Sequence, residues 1–289
     1  MIPENFQHWL DKKGWNLRPY QEKMLLAYNT YQNILLTAPP GAGKTLAVFF
    51  PVYLSLLEKS PCKGIHTLYI SPLRSLTYDI SCNIRKPIEE INLPIDVGIR
   101  TGDTSSYERQ KQNKNPPNIF LTTPESLALM LTYPQLLEKF KNLKTIIIDE
   151  IHTFVSTKRG DHLSLLLAQL LNLSPKVKRI GLSATIKDPE TVAQWLGYPQ
   201  STHIIREKEK VRPDVKILYS SKPLPLAGYF PTQAIIENIY EIILKHSTNL
   251  IFVNTRAQAE SLLQSLWNIN KHNLPITLHH GSLSKEQRL

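Results

Sequence analysis

Residues 38 to 45 read Ala-Pro-Pro-Gly-Ala-Gly-Lys-Thr, a run whose residue types suit the capture of an anion. Gly41 and Gly43 let the backbone bend tightly and turn its N–H groups toward one point. Lys44 brings a charge that reaches the β- and γ-phosphates of a nucleotide, and Thr45 a hydroxyl that suits Mg²⁺. Pro40, Ala42 and Leu46 fill out the loop and its exit. A nucleotide site of this kind also needs a carboxylate to hold the metal. Thr-Ile-Ile-Ile-Asp-Glu, 145–150, supplies one at the end of an apolar run. Asp149 would hold Mg²⁺ partly through water, and Glu150 would orient and deprotonate an attacking water. Lys44, Asp149 and Glu150 are therefore the predicted catalytic groups, and ATP with Mg²⁺ the predicted cofactor.

These residues need strands and helices to place them. Strands are expected at 33–38, 66–71, 96–101, 118–123, 145–150, 179–185, 249–254 and 275–280. Several are apolar throughout, as parallel strands covered on both faces are. Helical patterns fall between them, at 46–57, 125–131, 163–171, 232–245 and 257–270. The alternation predicts an α/β fold with a mostly parallel sheet. Residues 111–118 read as a solvated loop. Ser284 and Gln287 have capping-box spacing for a further helix. A charged and proline-rich stretch divides the chain into a first domain, 1–205, a linker, 206–231, and a second part, 232–289, too short to close a sheet of its own.

The 289 residues carry a net charge of +10, which favours a polyanionic partner. The two cysteines, Cys62 and Cys82, make no disulfide scaffold and point to a reducing cytosol. No apolar run reaches transmembrane length, and the first residues lack a signal-peptide pattern, so no membrane partner and a cytoplasmic location are expected. His152 has no spaced metal-ligand set around it.

Asp-Glu-Ile-His, 149–152, resembles the DExH box of superfamily 2 helicases. Other stretches resemble that family's motifs in order: Arg-Pro-Tyr-Gln (18–21), Tyr-Ile-Ser-Pro-Leu-Arg-Ser-Leu (69–76), Arg-Thr-Gly-Asp-Thr-Ser-Ser-Tyr-Glu-Arg (100–109), Thr-Thr-Pro-Glu-Ser-Leu (122–127), Ser-Ala-Thr (183–185) and Leu-Ile-Phe-Val-Asn-Thr-Arg-Ala-Gln-Ala-Glu (250–260). The forms are most similar to the large helicase-related (Lhr) family and lean toward its ligase-associated DExH-box branch. The resemblance implies a RecA-like (P-loop NTPase) sheet with helices on both faces, followed by an incomplete second RecA-like domain. It also implies ATP-driven 3′→5′ movement on single-stranded or partly duplex DNA, a role in DNA repair, and a repair nuclease and DNA ligase as partners. An RNA helicase would share these motifs.

By the same resemblance Gln21 reads adenine, with Trp15 or Tyr20 either packing on the base or sitting in the core. Ser71, Pro72 and Arg74 grip the nucleic acid, as do Thr101, Gly102, Thr123, Pro124 and Glu125, with Asp103 in the same loop as Gly102. Ser71 and Thr123 are read as helix N-caps, each followed by proline at the first helical position. His152, Ser183 and Thr185 couple the ATP site to the second domain. For His279 and His280 a DNA or coupling role and a plain loop stand level. Motifs V and VI do not occur before Leu289, so weak turnover is expected of this chain, which would then act as an ATP- and nucleic-acid-binding fragment.

Overall fold

A computed structural model describes residues 2–58, 64–184, 186–207, 214–217 and 233–280. The chain divides into two compact units, Met1–Arg212 and Pro213–Leu289. Seven strands form the sheet of the first: β1 Asn33–Thr37, β2 Thr67–Ile70, β3 Val97–Arg100, β4 Ile119–Thr122, β5 Thr145–Ile148, β6 Lys178–Ser183 and β7 His203–Arg206. All run parallel, in the order β3-β4-β2-β5-β6-β1-β7. Between them lie α1 Glu4–Lys13, α2 Pro19–Thr30, α3 Lys44–Leu57, α4 Arg74–Ile91, α5 Ser106–Lys114, α6 Pro124–Met130, α7 Pro134–Phe140, α8 Lys158–Leu173 and α9 Pro189–Gly197.

Alternation along each strand divides the core in two. Ile34, Leu36, Tyr69 and Ile147 face one side and pack with Met24 of α2, Phe49 and Tyr53 of α3 and Ile84 of α4. Leu35, Leu68, Ile70, Ile146 and Ile148 face the other and pack with Leu127, Leu136, Leu167 and Leu196 of α6 to α9. Each fully buried aliphatic side chain contributes about 1.5–3 kcal/mol, so the sheet is held from both faces. This is why the strands read as unbroken apolar runs. Because every strand points the same way, their carboxyl ends share one edge, where ligands of open parallel sheets bind.

The first six expected strands form, each within two residues of the expected bounds. The edge strand β7 went unread, since four residues between polar neighbours carry little apolar signal. The expected loop at 111–118 instead contains the last turn of α5, capped by Ser105, whose hydroxyl accepts from the Glu108 N–H at 3.2 Å. In the second unit α10, Gln233–Lys245, packs on α11, Arg256–Asn268, through Ile236, Tyr240, Leu262 and Leu266. The strands expected at 249–254 and 275–280 do not form among the described residues. A strand exists only through a neighbour's hydrogen bonds, and here Leu250 and Phe252 stand 80% and 85% exposed. Ser284 and Gln287 lie outside the described residues.

Candidate functional site

The phosphate loop leaves β1, the strand next to the edge strand β7. Gly41 and Gly43 take positive φ values, 69° and 93°, that residues with a Cβ rarely adopt, and Gly43 opens α3. Lys44 curls back so that its ammonium donates to the Ala38 and Pro39 carbonyls, at 2.8 and 3.2 Å. Two residues from α2 brace the loop. The Tyr20 hydroxyl donates to Ala42 O at 2.7 Å, and the Gln21 amide donates to Gly43 O at 3.3 Å while accepting the Arg18 N–H at 2.8 Å. Tyr20 is fully buried, so of the two aromatic candidates it is the core residue. Trp15 is half exposed and meets Trp9 edge-on, ring centres 5.7 Å apart, on the wall of the cleft beside the loop.

That cleft has a volume of about 650 Å³. Pro40, Gly41, Gly43, Lys44, Thr45 and Leu46 line one part of it, and Asp149 and Glu150 another. Asp149 follows β5 and is buried; its Oδ1 accepts the Glu150 N–H at 3.0 Å. Burial pushes its carboxyl above the ordinary carboxylate value, helped by the charge of Glu150 and opposed by Tyr69, the Glu150 N–H and Lys44. Glu150 takes a left-handed backbone, φ 44°, and starts a 3-10 turn over Ile151–Thr153. The residues fit a magnesium nucleotide: a hydroxyl and one buried carboxylate are the hard-oxygen donors that Mg²⁺ shares with phosphates. Thr45 and Asp149 would hold the metal.

His152 reaches from this turn to the end of β6. Its Nδ1 lies 2.8 Å from Ser183 Oγ and 3.5 Å from Glu150 Oε2. The Ser183 carbonyl accepts the Ala38 N–H at 3.2 Å, so β6 also touches the start of the phosphate loop. Thr185 lies outside the described residues.

Ser71, Thr123 and Thr101 follow β2, β4 and β3, three neighbouring strands, on the other half of the same edge. Thr123 caps α6 as expected, accepting the Ser126 N–H, with Pro124 at the first helical position. Ser71 does not cap a helix. Its N–H still pairs with Thr122 O at 2.9 Å, continuing the ladder, and its hydroxyl donates to Leu73 O. Pro72 is therefore still outside α4, which opens at Arg74. The Arg74 guanidinium lies over Gly102, where a Cβ would fall 2.5 Å from it, and pairs with Asp103 at 3.3 Å.

Two arginines were given no role from the sequence, Arg109 at the end of the 100–109 run and Arg159 outside every motif. Arg109 donates to the Thr101 and Gly102 carbonyls, at 3.3 and 3.0 Å, and shapes that loop. Arg159 holds Glu125 through two hydrogen bonds, 2.7 and 3.1 Å, tying α6 to α8. The Glu125 carboxyl, though burial opposes it, is held below the ordinary value by Arg159 and by its own backbone N–H. Glu125 thus anchors an arginine beside the expected nucleic-acid residues. His280 lies 3.2 Å from Glu260, both in the second unit.

Residues 18–193 match the DEAD/DEAH box helicase family. Over its whole length the chain is 36% identical to the ATP-dependent helicase Lhr-Core protein 2 of Thermococcus barophilus, covering 36% of that protein. It is 37% identical over 97% of its length to the ATP-dependent helicase Lhr-Core of Saccharolobus solfataricus, covering 34% of it. The solved structure of Mycobacterium smegmatis helicase Lhr bound to ssDNA and AMP-PNP superposes on 99% of the chain with a TM-score of 0.80 and 35% identity, and the chain covers 39% of it. The chain thus spans little more than a third of these relatives' length. Since the family match takes in both the phosphate loop and the Asp149–Glu150 pair, and the Lhr-type helicases align along nearly the whole chain, this protein belongs to the DEAD/DEAH box helicases, on their Lhr-like side.

Proposed function

We propose that the first unit binds Mg–ATP in the cleft and single-stranded DNA along the loops after β2, β4 and β3, and that hydrolysis drives movement on that strand. The observation that carries this is the adjacency of β2 and β5 at the middle of the sheet. On one side of that junction lie the phosphate loop, Asp149 and His152–Ser183. On the other lie Ser71, Arg74, Thr101, Gly102 and Thr123. ATP supplies the driving free energy when its γ-phosphoryl passes to water. Lys44 would bind the phosphates, Asp149 and Thr45 hold the metal, Glu150 take the proton from water, and Gln21 fix the loop and read the base. His152 and Ser183 would report the state of the site to β6.

The bond between Arg74 and Asp103 is an exposed pair, worth only about 0–1 kcal/mol, so a phosphate can replace Asp103 on the guanidinium. The 3′→5′ direction, the repair role, and a nuclease or ligase partner follow from the Lhr resemblance and belong to the same proposal.

Gly102→Ala is the direct test. The new methyl group must displace the Arg74 guanidinium, while the backbone at Gly102 has no positive φ to strain. Single-strand affinity, read by fluorescence anisotropy, should fall roughly fivefold, the loss of about 1 kcal/mol, at an unchanged melting temperature. Unchanged affinity would remove this loop from the DNA path. Tighter binding of single-stranded RNA than of DNA would change the substrate.

A further inference from the structure

Tyr69 lies two residues before Ser71 on β2, and none of the expected site roles includes it. It pairs in register with Ile147 of β5. Side chains alternate along strands, so Tyr69, Ile147 and, just past the strand, Asp149 belong to one face. The Tyr69 ring packs on Phe49 of α3, the helix that the phosphate loop opens, at 5.7 Å between centres. Phe49 and Asp149 both line the cleft. Tyr69 is fully buried, and its hydroxyl is one of three buried side-chain polar atoms with no hydrogen-bond partner among the described residues.

Leaving a buried hydroxyl unpaired costs about 1–3 kcal/mol, and phenylalanine would fill the same space without that cost. The hydroxyl is close enough to Asp149 for the phenol to stabilise the carboxylate, yet it stops short of hydrogen-bond geometry. Of the two Asp149 oxygens, Oδ1 already accepts the Glu150 N–H.

We propose that Tyr69 is a positioning residue for the metal-binding carboxylate: its hydroxyl donates to Asp149 Oδ2 once a magnesium nucleotide draws the carboxylate toward the phosphates. The carboxylate is then held at both oxygens, one by the Glu150 backbone and one by the phenol, and its orientation toward the metal is fixed. Donors behind a metal-binding carboxylate typically change metal affinity 10–100-fold. The inference rests on the reading of the cleft as a Mg–ATP site. It adds a link that the motif residues lack, because the strand carrying Tyr69 runs directly into Ser71 and Arg74.

The experiment compares wild type, Tyr69→Phe and Asp149→Asn by calorimetry, titrating Mg²⁺ at a fixed concentration of a non-hydrolysable ATP analogue, with thermal melts in magnesium-free buffer alongside. Tyr69→Phe should need about tenfold more Mg²⁺ for half-maximal enhancement of nucleotide binding. Its metal-free nucleotide affinity should be unchanged and its melting temperature no lower than wild type. Asp149→Asn should lose the magnesium enhancement altogether. An unaltered Mg²⁺ requirement in Tyr69→Phe, whatever its melting temperature, overturns the inference while the Asp149→Asn result leaves the site reading standing. A full magnesium enhancement in Asp149→Asn overturns the site reading and the inference with it.

Discussion

Asp149 sits where its charge is disfavoured. Burial raises its carboxyl above the 3.8 of a free aspartate, so the folded chain takes up a proton more readily than the unfolded chain. The associated stability is present below 3.8 and is lost as pH climbs through the folded value. In magnesium-free buffer at neutral pH, Asp149→Asn should therefore melt higher than wild type, and the gap should close as pH is lowered toward 3.8. Thermal melts at stepped pH check this, and a gap of the same size at every pH would contradict it. Function here opposes stability, as is common where a site needs a buried charge. Glu150 is half-buried and its removal acts on a different step. Glu150→Gln should keep nucleotide binding and lower turnover by about 10²–10⁴, read as phosphate release. Lys44→Ala should instead weaken binding itself, by calorimetry. Lys44 with Thr45, and Asp149 with Glu150, could be read from the sequence because each pair sits in its own short run, and all four line the cleft. Arg159 could not, because its partner Glu125 stands on another helix. Arg109 could not, because only the turn before α5 folds it back onto the Thr101 and Gly102 carbonyls. Nor could Tyr69, because nothing in its own run marks its pairing beside β5.

Among the described glycines, Gly160, between the Glu150 turn and the body of α8, has the least room for a side chain. Gly160 stands in the first turn of α8, where a Cβ would lie 1.9 Å from the Phe154 carbonyl oxygen. That neighbour is backbone and cannot swing aside. Gly160→Ala should push α8 away from the His152 turn and destabilise the first unit by about 3 kcal/mol, read by denaturant unfolding. A loss below about 0.5 kcal/mol, the size of an ordinary surface change, would mean the turn is softer than its geometry indicates. The elements themselves were readable in proportion to their burial. β1 to β6 are covered on both faces and carry their own apolar signature, whereas β7 borrows its order from β1. Thr123 was a correct cap because strand β4 stops at Thr122. Ser71, with the same serine–proline look, was not, because its N–H remains in the ladder. Local residue types alone do not say where a ladder ends.

For the whole molecule, a charge of +10 and the proposed gripping of a nucleic-acid backbone by these loops predict binding governed by salt. The slope of log affinity against log salt should be about −0.7 for each phosphate neutralised on a single strand, with little dependence on base sequence. A flat titration would exclude phosphate gripping. The second unit was the least legible part. Its runs at 249–254 and 275–280 have strand-like residues, but β-structure is a property of pairs, and neither run has a paired neighbour among the described residues.

The position of β1 has a consequence for how this chain is made. The phosphate loop's own strand pairs with no neighbour in sequence: its partners are β6 and β7, with Asn33 bonded to Arg179 across 146 residues. On a ribosome adding about 5–20 residues per second, the strand that launches the loop waits roughly 7–30 s for its first partner to be synthesised. Until then an apolar segment whose every residue is destined for burial has nothing to pair with. The phosphate loop, although its strand precedes β6 by so long a stretch of chain, is thus among the last parts of the first unit to be completed, and nascent chains stopped before Lys178 should fail to retain a nucleotide analogue.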